Sequence, residues 1–168
     1  MSLINKNNGN QKVLEECLQM LGSLTSIADR ADSVFLIDQL LEFDFLEIAY
    51  GILLNAHTNS KQKLLWLLDN LTLDSDKVWL SIHSEKYLFN AIVDLMSSND
   101  LKLRLESIRY IVNYTQMANP ELLLARLNED HVVFKNLFKG ASTVENDLTL
   151  MARLLESIEK MLQWDRSF

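Results

Sequence analysis

The chain has 168 residues, 48% of them hydrophobic and 23% charged, with a net charge of −7. That length fits one domain, and that balance excludes a chain disordered throughout. The acidic excess argues against a nucleic-acid binder, which rewards basic surfaces, and four glycines with one proline supply too few turn residues for an all-β fold.

The opening MSLINKNNGNQK lacks the apolar core of a secretory leader. Residues 1–10 are expected to form a flexible N-terminal arm. A helix follows over 11–27, with Cys17 on its apolar face, where a thiol is expected to be buried. As the single cysteine, Cys17 allows no internal disulfide. The next stretch, FLIDQLLEFDFLEIAYGILL (35–54), is the most apolar, yet Asp38, Glu42, Asp44 and Glu47 interrupt it. No run reaches the roughly 18 consecutive apolar residues of a membrane span. The pattern instead predicts two helices, 33–41 and 44–55, and a third over 60–73 that contains LLWLLDNLT.

DSDKVWLSIH, YLFNAIVDLM and LKLRLESIRYIVNYTQ repeat that triplet over 75–116. Asn99 or Asp100 is placed to cap the last of these. Leu101, Leu105, Ile108 and Val112 recur along it at three- and four-residue steps, as on an amphipathic helix. Pro120 after Asn119 opens the short helix ELLLARL. NED (128–130) reads as a turn, HVVFKNLFK as a helix that Gly140 stops, and 144–164 as the terminal helix.

Four helical segments resemble one another: CLQMLGSLT (17–25), LLWLLDNLT (64–72), SIRYIVNYT (107–115) and SIEKMLQWD (157–165). Each carries a polar residue near its end: Ser23, Asn70, Asn113 and Gln163, spaced 47, 43 and 50 residues apart. LESI also occurs at 105–108 and again at 155–158. Periods of about 40–47 residues point to armadillo or HEAT repeats, whose units stack to bury a continuous core. The expected fold is therefore all-α, a right-handed armadillo/HEAT-like superhelical solenoid of about three to four repeats. It divides into the arm (1–10) and one repeat domain (11–168): a third helix at 11–27 and repeats over 32–73, 75–116 and 120–164.

The segment 63–115, KLLWLLDNLTLDSDKVWLSIHSEKYLFNAIVDLMSSNDLKLRLESIRYIVNYT, resembles the armadillo-repeat family, in particular importin-alpha-type repeats. Trp66 and Asn70 on the third helix carry the likeness, followed by a short helix, a turn and a second helix ending in DLM. The resemblance implies that these two side chains line a concave groove. Asn70 would bond the backbone of an extended ligand, and Trp66 would form a slot for a Lys or Arg stem. The next unit has Arg109 and Asn113 at the same positions; the flanking units have Gln19 with Ser23 and Glu159 with Gln163. A partial chain of this type would also begin inside a unit, as this one does.

Independently of the family, residues four apart on a helix share a face. An amide is both donor and acceptor, so a row of amides can pair with successive peptide units. Trp66 offers a flat face for a cationic stem, and Asp69, Glu106 and Glu159 add negative charge nearby. The same residues also fit plain packing: Trp66 between helices, Asn70 and Asn113 on neighbouring helix ends. Trp79 and Trp164 read as core or end-cap residues.

His57, His83 and His131 have no recognisable partners, and the CxxC, HxxxH, GxSxG and HExxH spacings are absent. The expectation is a non-enzymatic protein–protein interaction module without cofactor or metal, cytoplasmic and/or nuclear. It would hold an extended segment of a partner along Trp66, Asn70, Arg109, Asn113, Asp69 and Glu106, and the importin-alpha resemblance implies nuclear-import-type cargo recognition. The alternative is a structural subunit that dimerises or stacks through exposed solenoid ends, since the terminal helix is rich in apolar residues from Leu148 to Trp164.

Overall fold

In the computed structural model, residues 8–27, 30–117, 119, 121–123, 132–144 and 146–165 are described. Every regular element among them is an α-helix. In chain order these are α1 (Asn8–Ile27), α2 (Arg30–Glu42), α3 (Phe45–Asn55), α4 (Thr58–Asp74), α5 (Asp76–Ser84), α6 (Lys86–Leu95), α7 (Leu101–Met117), α8 (Val132–Ala141) and α9 (Leu148–Asp165). Residues 121–123 are helical too. The all-α expectation holds, and most helix ends fall within a few residues of those predicted. α1 opens at Asn8, inside the stretch expected as an arm; residues 1–7 lie outside the described set. No helix among the described residues is long and apolar enough to cross a membrane.

The chain forms two compact units, Met1–Ala91 and Ile92–Phe168. In the first, α4 is the hub and packs against α1, α2, α3 and α5. Its sequence explains why. Leu64, Leu65, Leu67, Leu68 and Leu71 form one broad apolar face, and all are 0–2% exposed. A face that wide is covered only when more than one neighbouring helix packs on it. Truncating one such leucine to alanine costs about 2–5 kcal/mol. The neighbours supply Leu18 from α1, Ala49, Ile52 and Leu53 from α3, and Val78, Trp79 and Ile82 from α5.

Local chemistry sets the joints. Asp44, between α2 and α3, takes left-handed backbone (φ 52°, ψ 35°), a conformation that Asp tolerates better than most residues. Ser75 is extended (φ −151°, ψ 117°), and its hydroxyl accepts from the Val78 N–H to start α5.

In the second unit α7 is the hub, lying against α8 and α9, while α8 also packs on α9. Residues Tyr110, Ile111, Val112, Asn113, Tyr114 and Thr115 are buried in succession. Asp100, one of the two expected caps, starts α7 by accepting from the Leu103 N–H at 2.9 Å. Asn119 caps the 121–123 turn, accepting from the N–H groups of Glu121 (3.0 Å) and Leu122 (3.3 Å). Asp147 caps α9 through the Leu150 N–H at 2.9 Å. Gly140 does not terminate its helix as expected: α8 continues to Ala141. Gly140 is buried, and a Cβ there would sit 3.0 Å from Ile108 Cδ1, so the glycine serves close helix packing rather than a turn.

Candidate functional site

The predicted groove residues are found where the sequence places them, on the long helices α4 and α7. The polar atoms of Asn70 and Asn113, however, join helices. Trp66 and Asn70 share the face of α4 that meets α1. The six-membered ring of Trp66 lies over Gly22, which has no side chain to obstruct it. Asn70 Nδ2 donates to the Gly22 carbonyl (3.2 Å), to Ser26 Oγ (2.9 Å) and to Thr25 Oγ1 (3.4 Å). The Thr25 and Ser26 hydroxyls themselves donate back to Gly22 O, at 2.9 and 2.8 Å. The amide hydrogens of Asn70 are thus engaged by α1.

Asn113 plays the matching part in the second unit. It is 4% exposed, and its Oδ1 accepts from Arg153 Nη2 on α9. Nearby, Thr115 Oγ1 and Ser157 Oγ lie 2.9 Å apart, both buried. Arg109 donates from Nη1 to Glu106 Oε1 at 2.8 Å, and its Nη2 lies 3.9 Å from Asp147 Oδ2. Asp69 is half-buried on α4. Gln163 donates to Glu159 Oε1 on its own helix at 3.1 Å. Ser23 is half-buried on α1.

Other singled-out residues fall as follows. Trp79 is core, as expected, and stacks on His83 one turn away (5.0 Å, 11°). His57 is exposed, and His131 lies outside the described residues, as does the side chain of Trp164. Cys17 is exposed, not buried as expected. It lies on a stripe with Val13, Met20 and Leu24, all exposed, so the apolar spacing of α1 marks two faces rather than one. Among the described residues, no group of three His, Cys, Asp or Glu side chains could hold a metal ion.

Among the described residues, a cleft of about 890 Å³ in the first unit has room for a ligand. It lies on the side of the first and second helices of the triplets, not on the long helices. From α3 come Leu46, Glu47 and Tyr50; from α5 come Lys77, Leu80, Ser81 and Ser84, at helical spacing. Leu41, Asp44, Glu85, Tyr87 and Leu88 complete the wall. Tyr50 and Tyr87 form a tilted ring pair with centroids 6.2 Å apart and an interplanar angle of 43°. Lys77 is bound to Asp38 of α2 at 2.5 Å. The Ser81 and Ser84 hydroxyls donate to the carbonyls of Lys77 (2.8 Å) and Leu80 (2.9 Å) one turn back.

Repeat and motif reasoning missed this cleft, because Tyr50 and Tyr87 belong to different helices and to no repeat position. One local signal pointed to it. On α6 the apolar stripe is Leu88, Phe89, Ile92 and Val93, all buried, and Tyr87 stands off it at 75% exposure. A large aromatic off the core stripe is a recognition candidate.

Comparison of the chain with protein-family models, with curated proteins and with solved structures gives no match.

Proposed function

We propose that the chain is a non-catalytic protein-recognition module, built on an armadillo-like plan, that captures a segment of a partner protein. Two features support the plan. Triplets of helices recur with periods of 43–50 residues. Each unit is also organised around one long helix with a broad buried face, tied by an asparagine to another long helix. The observation that carries the recognition reading is the cleft: about 890 Å³, lined in part by leucines and by a tyrosine pair of which Tyr87 is exposed and Tyr50 half-buried. Binding sites commonly combine concavity, apolar walls and a few polar groups in this way.

Nuclear-import-type recognition along Trp66, Asn70, Arg109 and Asn113 would need those side chains available to a ligand. The internal bonds of Asn70 and Asn113 favour the cleft as the docking place instead. Panning a random dodecapeptide library on the immobilised chain, followed by counter-selection on a Leu80→Ala/Tyr87→Ala variant, tests the reading. Peptides that bind the parent chain and not the variant are expected. Selection yielding only peptides indifferent to the variant would refute it.

A second reading, assembly through terminal helices, is favoured by one specific observation. α1 exposes Val13, Met20 and Leu24 around Cys17, and α9 separately exposes Leu148, Leu155 and Leu162. The α1 set follows the three- and four-residue steps of a single helix face, and the α9 set recurs every seven residues, about two turns, along one face. Sedimentation velocity over a wide concentration range tests it; a strict monomer throughout would count against it.

A further inference from the structure

We propose that the cleft between α3 and α5 binds an arginine side chain presented by an extended, leucine-containing segment of a partner protein. This rests on the recognition reading above and assigns its chemistry. Three elements contribute exposed carboxylates to the lining: Asp44 from the α2–α3 turn, Glu47 from α3 and Glu85 from the α5–α6 joint. The one cation in the lining, Lys77, is paired with Asp38, so it does not offset them. The Ser81 and Ser84 hydroxyls are turned onto their own helix. The lining therefore offers acceptors and ring faces to a cation and little to an anion.

The aromatic pair narrows the choice of cation. Tyr50 and Tyr87 present tilted rings at 6.2 Å, and Tyr87 projects into solvent. A planar guanidinium can stack on a ring face while its N–H fork bonds a carboxylate, whereas an ammonium is a compact, strongly hydrated point charge. Leu80, 47% exposed, and half-buried Leu41 and Leu46 give the methylene stem and a neighbouring apolar residue a surface to cover. The volume exceeds one side chain, so flanking residues of the segment enter with it.

The test is fluorescence anisotropy with a labelled nine-residue peptide of alternating arginine and leucine, beside versions with lysine or glutamate in place of arginine. The arginine peptide is expected to bind tightest and the glutamate peptide not at all. Tyr87→Ala, and separately the triple change Asp44→Asn, Glu47→Gln, Glu85→Gln, are each expected to weaken binding about tenfold or more. Asn tolerates the left-handed backbone at position 44, so the triple variant keeps that joint. A charge-matched control, Glu16→Gln, Asp94→Asn, Glu156→Gln, alters exposed acids outside the lining and is expected to stay within about twofold. Equal loss in both triple variants would mean mere net-charge attraction and overturn the proposal. So would an unchanged affinity in Tyr87→Ala, or failure of the arginine peptide to bind the parent chain. If library panning returns cleft-dependent peptides without arginine, this inference falls and the recognition reading stands.

Discussion

The indole of Trp66 sits directly over the Cα of Gly22. A methyl built on that glycine would lie less than 3.0 Å from three carbons of the ring. Glycine inside a helix is unfavourable by about 1 kcal/mol against alanine. Here the ring occupies the space that alanine would need. Gly22→Ala is therefore expected to destabilise the chain by about 1–3 kcal/mol, the usual range for overpacking. In a Trp66→Leu background the same substitution should cost much less or become stabilising, because helix propensity then dominates. Urea denaturation of the four chains of this cycle measures the coupling; strict additivity would show that the ring does not depend on the glycine.

Asn70 adds a polar tie beside that contact. Its Nδ2 reaches three acceptors of α1, among them the buried Thr25 hydroxyl oxygen. Asn70→Ala should cost about 1–2 kcal/mol, from lost hydrogen bonds and an acceptor left partly unsatisfied. Asn70→Asp is nearly the same shape but replaces the donor with a carboxylate facing the Gly22 carbonyl, and it should cost more than alanine does. Denaturation midpoints give the order directly. A stabilising or neutral Asn70→Asp would mean that the amide does not donate to α1.

The sequence patterns that revealed this architecture were those with a local physical cause. Apolar residues at three- and four-residue steps placed the helices, Asp100 announced one helix start through a short side chain able to accept an N–H group, and Pro120 after Asn119 announced another. That Trp66 and Asn70 share a face followed from helix geometry alone. What covers that face did not, because the answer is a glycine 44 residues earlier in the chain, and a residue without a side chain leaves no periodic signal. Gly140 misled for the same reason: a glycine near a helix end can be a stop or a packing site, and only the position of Ile108 decides. The cleft was hidden because no pattern couples Tyr50 to Tyr87; tertiary packing alone brings them within 6.2 Å.

Asp147 holds two roles that can be separated. Oδ1 caps α9 through the Leu150 N–H, and Oδ2 faces Arg109 at 3.9 Å with both side chains more than 40% exposed. An N-cap is worth about 0.5–2 kcal/mol, whereas an exposed ion pair contributes about 0–1. Asp147→Asn keeps a capping oxygen and should stay close to the parent chain. Asp147→Ala loses the cap and should fall about 1 kcal/mol below the Asn variant. Arg109→Ala should resemble Asp147→Asn. Urea midpoints of the three variants decide; an Asn variant as unstable as the Ala variant would place the value in the ion pair instead.

Cys17 gives a direct probe of the apolar stripe on α1. It is exposed and flanked on its face by Val13, Met20 and Leu24. In a dilute solution of free chains its thiol should react readily with a maleimide. If copies associate through this face, the rate should fall as chain concentration rises. Met20, 64% exposed, can take a charge with little effect on folding, within about 0.5 kcal/mol for a surface position. Met20→Glu should then restore the dilute rate at high concentration, because a carboxylate desolvated in an apolar interface is costly. Stopped-flow labelling across the concentration series reads this out. A rate independent of concentration in both chains would remove α1 as an assembly surface and leave the cleft as the stronger docking site.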